Sequence, residues 1–255
     1  MKKRITALFL CTVAFITGAN EIIFHSFEYM PYVTGDARID SITSDLLKEI
    51  FNTQEYKLII NTNPMARAFK EFDTSSLNAV TIRSITSMDG VDWFNRYDFI
   101  PIGYLRRTFL LRKESPDIKS KKDFKNIVLA ELTGSGFIKD HKKNQVKKLD
   151  LSPTHDSNIF KLYHGRVDAI HSMDLTLMRL LNKHYPDEKE MFKFSSYEVL
   201  DTLVIVVDKK NPALKKFLIN RLKAIIKSGT YYSILEKYYQ GDVPGSVLLK
   251  VKDLK

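Results

Sequence analysis

The feature that most constrains the fold is an alternation of short apolar runs with helical patterns along the chain. Apolar runs of strand length recur at residues 21–26, 56–61, 78–82, 108–112, 126–131, 167–171 and 202–207. Between the first two runs, Ile42, Leu46 and Ile50 repeat at the spacing of one helical face. Strands that alternate with helices form βα units and favour a mainly parallel sheet. The sequence therefore predicts an α/β fold.

Two helices are predicted near the C-terminus. Asn211 and Pro212 supply an N-cap and a first-turn proline, and residues 214–226 carry an apolar stripe at helical spacing. Gly229 then stands where a left-handed helix end is expected, before a second short helix at 231–239.

The first nineteen residues have the pattern of a secretory signal peptide. Lys2, Lys3 and Arg4 form a basic segment, residues 5–16 are apolar, and small residues lead to Ala19. The apolar run is shorter than a membrane span requires. We therefore expect residues 1–19 to be a signal peptide that is cleaved near Ala19. The mature protein would then be periplasmic.

Composition excludes several other classes of protein. Cys11 is the only cysteine and lies inside the leader, so neither an intrachain disulfide nor a cysteine-rich zinc site can form. Cys11 also makes a poor acylation site, because Leu10 precedes it within the apolar run. The formal net charge of +10 attracts anions or nucleic acid. Because the basic residues are diffuse and the protein is exported, we expect no nucleic-acid partner.

Motifs that would indicate catalysis are missing from the sequence. There is no Gly-x-Ser-x-Gly elbow and no His-Glu-x-x-His helix. Five of the six histidines are scattered without the spacing of metal ligands: His25, His141, His155, His164 and His184. We therefore predict no metal, no cofactor and no enzymatic activity.

The order of segments resembles that of the family 3 periplasmic solute-binding proteins, the amino-acid-binding receptors of ABC importers. The pieces that carry the resemblance are Tyr29-Met30-Pro31-Tyr32, Asp45-Leu46-Leu47, Ala79-Val80-Thr81-Ile82, Leu110-Leu111-Arg112-Lys113, Lys122-Asp123-Phe124, Gly165-Arg166-Val167-Asp168-Ala169 and the segment 211–239. They cover nearly the whole chain after the leader.

The resemblance implies a two-lobed periplasmic-binding-protein fold of type II, in which each lobe is a mainly parallel sheet flanked by helices. Two crossover segments would join lobe 1 (20–104 and 203–255) to lobe 2 (105–202). A small polar ligand, an amino acid or related compound, would be trapped by hinge closure. The closed monomer would then meet a membrane ABC permease. The alternatives are a periplasmic sensory protein with a membrane signalling partner and a dehydratase-type enzyme on the same fold.

Aromatic and basic residues in lobe 1 are candidate ligand contacts. Tyr29 and Tyr32 follow the first strand, where α/β sheets place ligands, and the resemblance gives this loop an aromatic wall. The alternative is a turn at Pro31 with exposed tyrosines. Arg67 lies in a segment that resembles the Pro-Trp-Ala-Arg-Ala of a divergent branch, with Met65 in place of Trp. Its alternative is a surface helix arginine.

Thr81 and Arg83 are the candidates after the third apolar run. In the family, an arginine a few residues beyond a Thr-Ile-Thr segment clamps the ligand carboxylate with its planar fork. Here Arg83 directly follows Thr81 and Ile82, and the usual position falls near Asp89. Either Arg83 substitutes from a shifted position or the clamp has been lost.

A loop in lobe 2 supplies the opposing candidates Thr133, Gly134 and Ser135. Free N–H groups at a helix start bind anions, and the equivalent family loop holds the ligand carboxylate. The alternative is an ordinary N-cap at Ser135.

His171 and Asp174 follow the sixth apolar run. The resemblance implies that an acid here meets the amine of a bound amino acid, but the spacing is one residue longer and puts Met173 at that position. Asp174 could instead cap the helix at 175–181.

Overall fold

The computed structural model describes residues 20–27, 29–34, 40–85, 91–133, 135 and 137–254. The predicted signal peptide lies outside the described residues, as do Asp89 and Gly134. Among the described residues, no helix has both the length and the hydrophobicity that crossing a bilayer would require.

Eight strands and eight α-helices are formed by the described residues. The strands are β1 Asn20–Ser26, β2 Tyr56–Thr62, β3 Ala79–Ser84, β4 Tyr97–Arg112, β5 Val128–Leu132, β6 Lys148–Ser152, β7 Ala169–Met173 and β8 Phe192–Asp208. The helices are α1 Ile42–Ile50, α2 Met65–Thr74, α3 Val91–Arg96, α4 Ile138–Lys143, α5 His155–Tyr163, α6 Asp174–His184, α7 Pro212–Lys227 and α8 Thr230–Tyr239.

The strands form one sheet in the order β2-β1-β3-β8-β4-β7-β5-β6. At one end β1 pairs in parallel with β2 and β3, and at the other β5 pairs in parallel with β6 and β7. The long strands β4 and β8 pair antiparallel between these two groups. Two small parallel sheets joined by two crossing strands confirm the predicted α/β, two-lobed architecture. Below, lobe 1 means β1–β3 with α1, α2, α7 and α8, and lobe 2 means β5–β7 with α4–α6.

The two crossing strands are much longer than the sequence predicts. Only 108–112 and 202–207 carry a continuous apolar run, whereas β4 and β8 extend over 16 and 17 residues. Their other halves mix buried with half-buried side chains in β4 and with half-buried or exposed ones in β8, and they gain their regularity from pairing with each other. The register of β4 shifts between Pro101 and Gly103 and again between Thr108 and Leu110. The domain boundaries at 104/105 and 202/203 remain a prediction, and both fall inside these strands.

Strand β6 is the one described strand for which the sequence carries no apolar run. Lys148 and Asp150 alternate with leucines, and the strand lies at the edge of the sheet, where it pairs only with β5. An edge strand needs little apolar sequence, because one of its sides is not covered by another strand.

Lobe 1 is built around apolar residues of β1 and β3 together with α1, α7 and α8. Phe24, Leu47 and Leu218 are fully buried in this core. Burying one such side chain stabilises the fold by about 1.5–3 kcal/mol. The predicted helix ends are confirmed: the Asn211 side chain accepts the Leu214 N–H (3.1 Å), and Gly229 has a left-handed φ of 81°.

Lobe 2 buries apolar side chains on both faces of its sheet, as parallel strands covered by helices do. One cluster contains Leu110, Ile170 and Leu177, and the other contains Phe109 and Phe124. These two cores hold the ends of β5 and β7 in place beside the lobe contact.

Candidate functional site

A buried carboxylate, that of Asp174, joins the two lobes. Its Oδ1 accepts hydrogen bonds from the Tyr32 hydroxyl and from the Leu175 N–H, both at 2.7 Å. Its Oδ2 accepts from Arg106 Nε (2.9 Å), and the Tyr239 hydroxyl lies 3.3 Å away. Asp174 is fully buried, and a buried charge is tolerated only when it is paired and hydrogen-bonded. Because Tyr32 and Tyr239 belong to lobe 1, this network connects the lobes.

The loop after β1 places Tyr32 at this contact. Tyr29 and Val33 exchange two backbone hydrogen bonds of 2.9 Å, which close a tight turn around Tyr32. The Thr176 hydroxyl of α6 donates to the Met30 carbonyl (3.2 Å) and adds a second polar link between the lobes. Burial raises the pKa of Tyr29 to about 12 and that of Tyr32 well above its usual value. Both hydroxyls therefore stay protonated and act as donors.

Apolar side chains close the same contact. Met173 and Leu175 flank Asp174 in the chain, yet they pack in the core cluster that contains Tyr32 and Tyr239. The lobes are therefore packed against each other at this point, with the carboxylate enclosed between them.

The crossing strands carry a second charged pair next to this contact. Arg107 Nε lies 3.8 Å from Asp201 Oδ2, and Asp201 also accepts a hydrogen bond from the Ser84 hydroxyl. The Arg107 guanidinium stacks on the Phe137 ring at 4.4 Å. Its Nε is buried and makes no hydrogen bond within the described part of the chain. This arginine therefore keeps a donor that a ligand carboxylate could take up.

A cavity of about 90 Å³ adjoins Arg107. Its lining consists of aromatic, basic and imidazole side chains: Arg107, Phe109, Lys121, Phe124, His141, His171, Tyr197 and Val199. One water needs about 10–15 Å³ on this measure, so the cavity has room for several waters or a small polar group. Its two cationic side chains favour an anionic occupant.

Two histidines of the cavity wall, His141 and His171, contact the buried side chain of Glu131. Glu131 Oε2 lies 3.2 Å from His141 Nε2 and 3.0 Å from His171 Nδ1, and the two ring nitrogens are 3.2 Å apart. Burial alone would raise the pKa of Glu131, but hydrogen bonds from His141 and His171 lower it to about 2. Its carboxylate is therefore charged across the physiological range. We call these three residues the Glu-His-His cluster.

The three residues of this cluster could not be grouped from the sequence, because they are separated by up to 40 residues along the chain. The histidines lack ligand spacing along the chain but not in three dimensions. One signal was available: Glu131 and His171 lie on neighbouring parallel strands, one position beyond the paired Ala130 and Ile170. Polar side chains at the carboxyl ends of adjacent parallel strands meet at one edge of the sheet. The other site residues that sequence reasoning missed are Arg106, Arg107 and Asp201, which only the pairing of β4 with β8 brings to the contact.

Three residues singled out by the sequence meet at the lobe contact, namely Tyr29, Tyr32 and Asp174, whereas His171 lies in the Glu-His-His cluster of lobe 2. Asp174 is the first residue of α6 and Met173 occupies the N-cap position, so Asp174 is not the cap that the alternative expected, although its carboxylate accepts the Leu175 N–H. A role for Asp174 in binding a ligand amine remains a prediction, and in the structure its two oxygens are engaged by protein donors.

Three further candidates, Arg67, Thr81 and Arg83, belong to lobe 1. Arg67 is exposed on α2. Thr81 is buried, and its hydroxyl donates to the His25 carbonyl at 2.8 Å. Arg83 stacks over the rings of Phe69 (4.1 Å) and Trp93 (4.5 Å). Their roles in ligand binding stay predictions.

The predicted loop of lobe 2 is described only in part. Gly134 lies outside the described residues, and Thr133 is exposed. The Ser135 hydroxyl accepts a hydrogen bond from the Phe137 N–H (3.2 Å), just before α4. This contact fits the N-cap alternative, and anion binding by the loop remains a prediction.

Known proteins similar to this chain share its fold. No family model matches the chain. The probable amino-acid-binding protein YxeM of Bacillus subtilis (strain 168) is 26% identical over 151 residues, which are 58% of this chain and only 57% of the length of that protein. The unliganded, open L-cystine solute receptor of Neisseria gonorrhoeae superposes with a TM-score of 0.67 at 15% identity, over 90% of this chain and 95% of that one.

A sensor domain has the same fold. A histidine kinase sensor domain with similarity to periplasmic binding proteins superposes with a TM-score of 0.65 at 16% identity, covering 91% of this chain and 98% of that domain. Two lobes joined by two crossing strands give this chain the periplasmic-binding-protein fold, which the solved structures share. The similarity to an amino-acid-binding protein and to these structures supports the resemblance to the family 3 solute-binding proteins seen in the sequence.

Proposed function

We propose that this protein captures an amino acid or a related small polar compound between its lobes and delivers it to a membrane ABC importer. The observation that carries the proposal is the network around Asp174, in which Tyr32, Tyr239 and Arg106 hold the two lobes together. A lobe contact built from hydrogen bonds to one carboxylate can form and break as a unit, as hinge closure requires. The naming of YxeM as an amino-acid-binding protein supports the ligand class.

The carboxylate of the ligand is the group that the basic residues suit best. Arg83 and the loop at Thr133 and Ser135 form the clamp that the resemblance implies. Arg107 is a second candidate, since its buried Nε has no hydrogen bond within the described residues and it lines the cavity. An arginine fork binds a carboxylate with two parallel hydrogen bonds, which favours one of these arginines over a lysine. Tyr29 or Tyr32 would pack on the apolar part of the ligand.

A thermal-shift screen with amino acids, polyamines and small carboxylates tests the proposal. A ligand at about 100 times its Kd stabilises the folded state by about 2.7 kcal/mol, which a melting curve resolves easily. We expect one or a few amino acids to raise the melting temperature, followed by calorimetric titration of each. The proposal fails if all amino acids and related carboxylates leave the melting temperature unchanged while the protein is folded.

A sensory role is the second candidate, and the similarity to a histidine kinase sensor domain favours it. The two roles separate in cells that lack the gene. Lost uptake of the identified ligand, restored by the wild-type gene, supports import. Normal uptake with an altered transcriptional response to the same ligand supports sensing by a membrane partner. Turnover of the ligand by the purified protein would instead support the dehydratase-type alternative.

The location and the domain limits belong to the same proposal. Relatives of this class act outside the cytoplasm, and the basic and apolar residues at 1–19 support cleavage near Ala19 and a monomeric periplasmic product. Lobe boundaries at 104/105 and 202/203 agree with the positions of β4 and β8. Mass spectrometry of the secreted protein tests the cleavage: a lipid on Cys11 or an intact leader on the mature protein contradicts it.

A further inference from the structure

We propose that the Glu-His-His cluster of Glu131, His141 and His171 binds a divalent transition-metal ion of the Zn²⁺ type in lobe 2. The inference does not rest on the proposed function, because it concerns a site inside one lobe and not the capture of a solute between two.

The donor atoms lie close to the spacing of ligands around one ion. Glu131 Oε2, His141 Nε2 and His171 Nδ1 come from β5, α4 and β7 and lie 3.0–3.2 Å from one another. Zinc binds imidazole nitrogen and carboxylate oxygen at about 2.0–2.2 Å in tetrahedral geometry, which places neighbouring ligand atoms about 3.3–3.6 Å apart. The measured distances are shorter by a few tenths of an ångström, so small side-chain rotations would complete the coordination.

Hydrogen bonds alone do not satisfy all three contacts. A ring nitrogen carries at most one proton, and a charged carboxylate only accepts. If both rings donate to Glu131, the contact between His141 Nε2 and His171 Nδ1 sets two N–H groups against each other at 3.2 Å. If only one of these two ring nitrogens carries a proton, the other nitrogen faces the Glu131 carboxylate with a lone pair and no hydrogen between them. A cation bound to all three lone pairs removes this conflict.

The surroundings of the cluster suit a metal ion. All three side chains are buried, so their charge is poorly screened by water. Aromatic rings hold the imidazoles: Phe109 and Phe137 lie 5.0 and 5.1 Å from the His171 ring. The cavity of about 90 Å³ borders both histidines and leaves room for a water or an anion as a fourth ligand. Three protein ligands with one open position are typical of zinc sites that bind exogenous molecules.

The ligand types select the class of metal. Imidazoles with one carboxylate suit Zn²⁺, Fe²⁺, Ni²⁺ and Cu²⁺, whereas Mg²⁺ and Ca²⁺ prefer oxygen ligands only. No thiolate is available, because the sole cysteine lies in the leader. A bound divalent ion with one carboxylate leaves a positive site next to Arg107 and Lys121, so the fourth ligand is expected to be anionic.

The test is metal titration of the protein after removal of metals with a chelator. Equilibrium dialysis with Zn²⁺, read by elemental analysis, is expected to give one bound ion per chain, and Mg²⁺ none. Cobalt(II) is expected to give visible absorption bands that Zn²⁺ displaces. The variants Glu131→Gln, His141→Ala and His171→Ala each remove one ligand and are expected to weaken Zn²⁺ binding at least about 100-fold. His164→Ala, an exposed histidine outside the cluster, is the matched control and should bind like wild type.

Two results would overturn the proposal. One is a folded wild-type protein that binds no stoichiometric Zn²⁺ and shows no cobalt bands. The other is unchanged Zn²⁺ affinity in the cluster variants, which would assign the ion to surface histidines. Circular dichroism establishes that each variant is folded. Glu131→Gln decides the question if the histidine variants do not fold, because it keeps the shape of the side chain while removing the charge.

Discussion

The hydroxyl of Tyr32 donates a 2.7 Å hydrogen bond to Asp174, which lies 142 residues further along the chain. The two residues belong to different lobes, and both are buried. This bond therefore exists only when the lobes are in contact, so its strength contributes to the balance between open and closed protein.

Tyr32→Phe is expected to destabilise the lobe contact. The substitution keeps the ring and removes one donor from a buried carboxylate, a loss of about 1–3 kcal/mol in the free energy of unfolding. Urea unfolding measures the change, and small-angle scattering should show a larger radius of gyration in the variant. Tyr232→Phe, at an exposed tyrosine of α8, is the matched control and should leave both values unchanged. Equal stability of Tyr32→Phe and wild type would show that the hydroxyl does not contribute.

Arg106→Gln is expected to lower the free energy of unfolding much more than the loss of a cation from a surface ion pair does. Removing the guanidinium leaves the buried Asp174 without its only cationic partner among the described residues, which costs about 3–5 kcal/mol of stability. Lys57→Gln breaks an exposed pair with Glu21 at 3.3 Å and should cost about 0–1 kcal/mol. Denaturant unfolding compares the two. Similar small losses would mean that water reaches Asp174.

The arginine that binds the ligand carboxylate can be identified by calorimetric titration of the ligand found in the screen. Loss of a desolvated charge-assisted pair costs about 2–5 kcal/mol of affinity, mainly through faster release. We expect this loss for Arg83→Ala if the clamp implied by the resemblance holds, with partial rescue in Arg83→Lys. If Arg107→Ala loses this affinity while Arg83→Ala binds like wild type, Arg107 on β4 is the arginine that binds the ligand carboxylate. Lys142→Ala, on the exposed side of α4, is the control and should change affinity by about 0–1 kcal/mol.

Acid is expected to destabilise the protein through two imidazoles outside the Glu-His-His cluster. Burial lowers the pKa of His25 and of His155 below their usual value. The unfolded chain then binds protons more readily than the folded one, so stability is fully present above about pH 6.5 and declines as the pH falls below that value. Urea unfolding at about pH 7.5 and about pH 5.5 measures the difference, which should shrink in His25→Gln. Higher stability at the lower pH would contradict the sign.

Much of lobe 1 could be predicted from the sequence because its elements carry their own signals. β1, β2 and β3 coincide with apolar runs, and α7 begins at Asn211 and Pro212 as the capping pattern indicates. The parts of β4 and β8 that precede the apolar runs at 108–112 and 202–207 could not be predicted from the sequence. Their regularity comes from pairing with each other and not from local hydrophobicity.

The site was only partly predictable for a related reason. The loop with Tyr32 and the acid at Asp174 follow strands, and the ends of strands are where α/β proteins place functional groups. That the two side chains form a hydrogen bond with each other depends on the packing of α6 and α8 at the lobe contact. His141 gave no sequence signal, since it lies on a helix and stands in no recognisable ligand spacing with Glu131 or His171.

The two shifts of register in β4 bracket Arg106 and Arg107. A bulge interrupts the hydrogen-bond ladder and increases the local twist, so each shift separates the short segment between them from the rest of its strand. When the lobes rotate, atoms close to the axis travel least and atoms at the outer edges, in β2 and β6, sweep the longest arcs. If this segment is the pivot of the proposed closure, it also carries Arg106, whose ion pair with Asp174 holds the lobes together, so a substitution here would change both the rotation and the strength of the lobe contact.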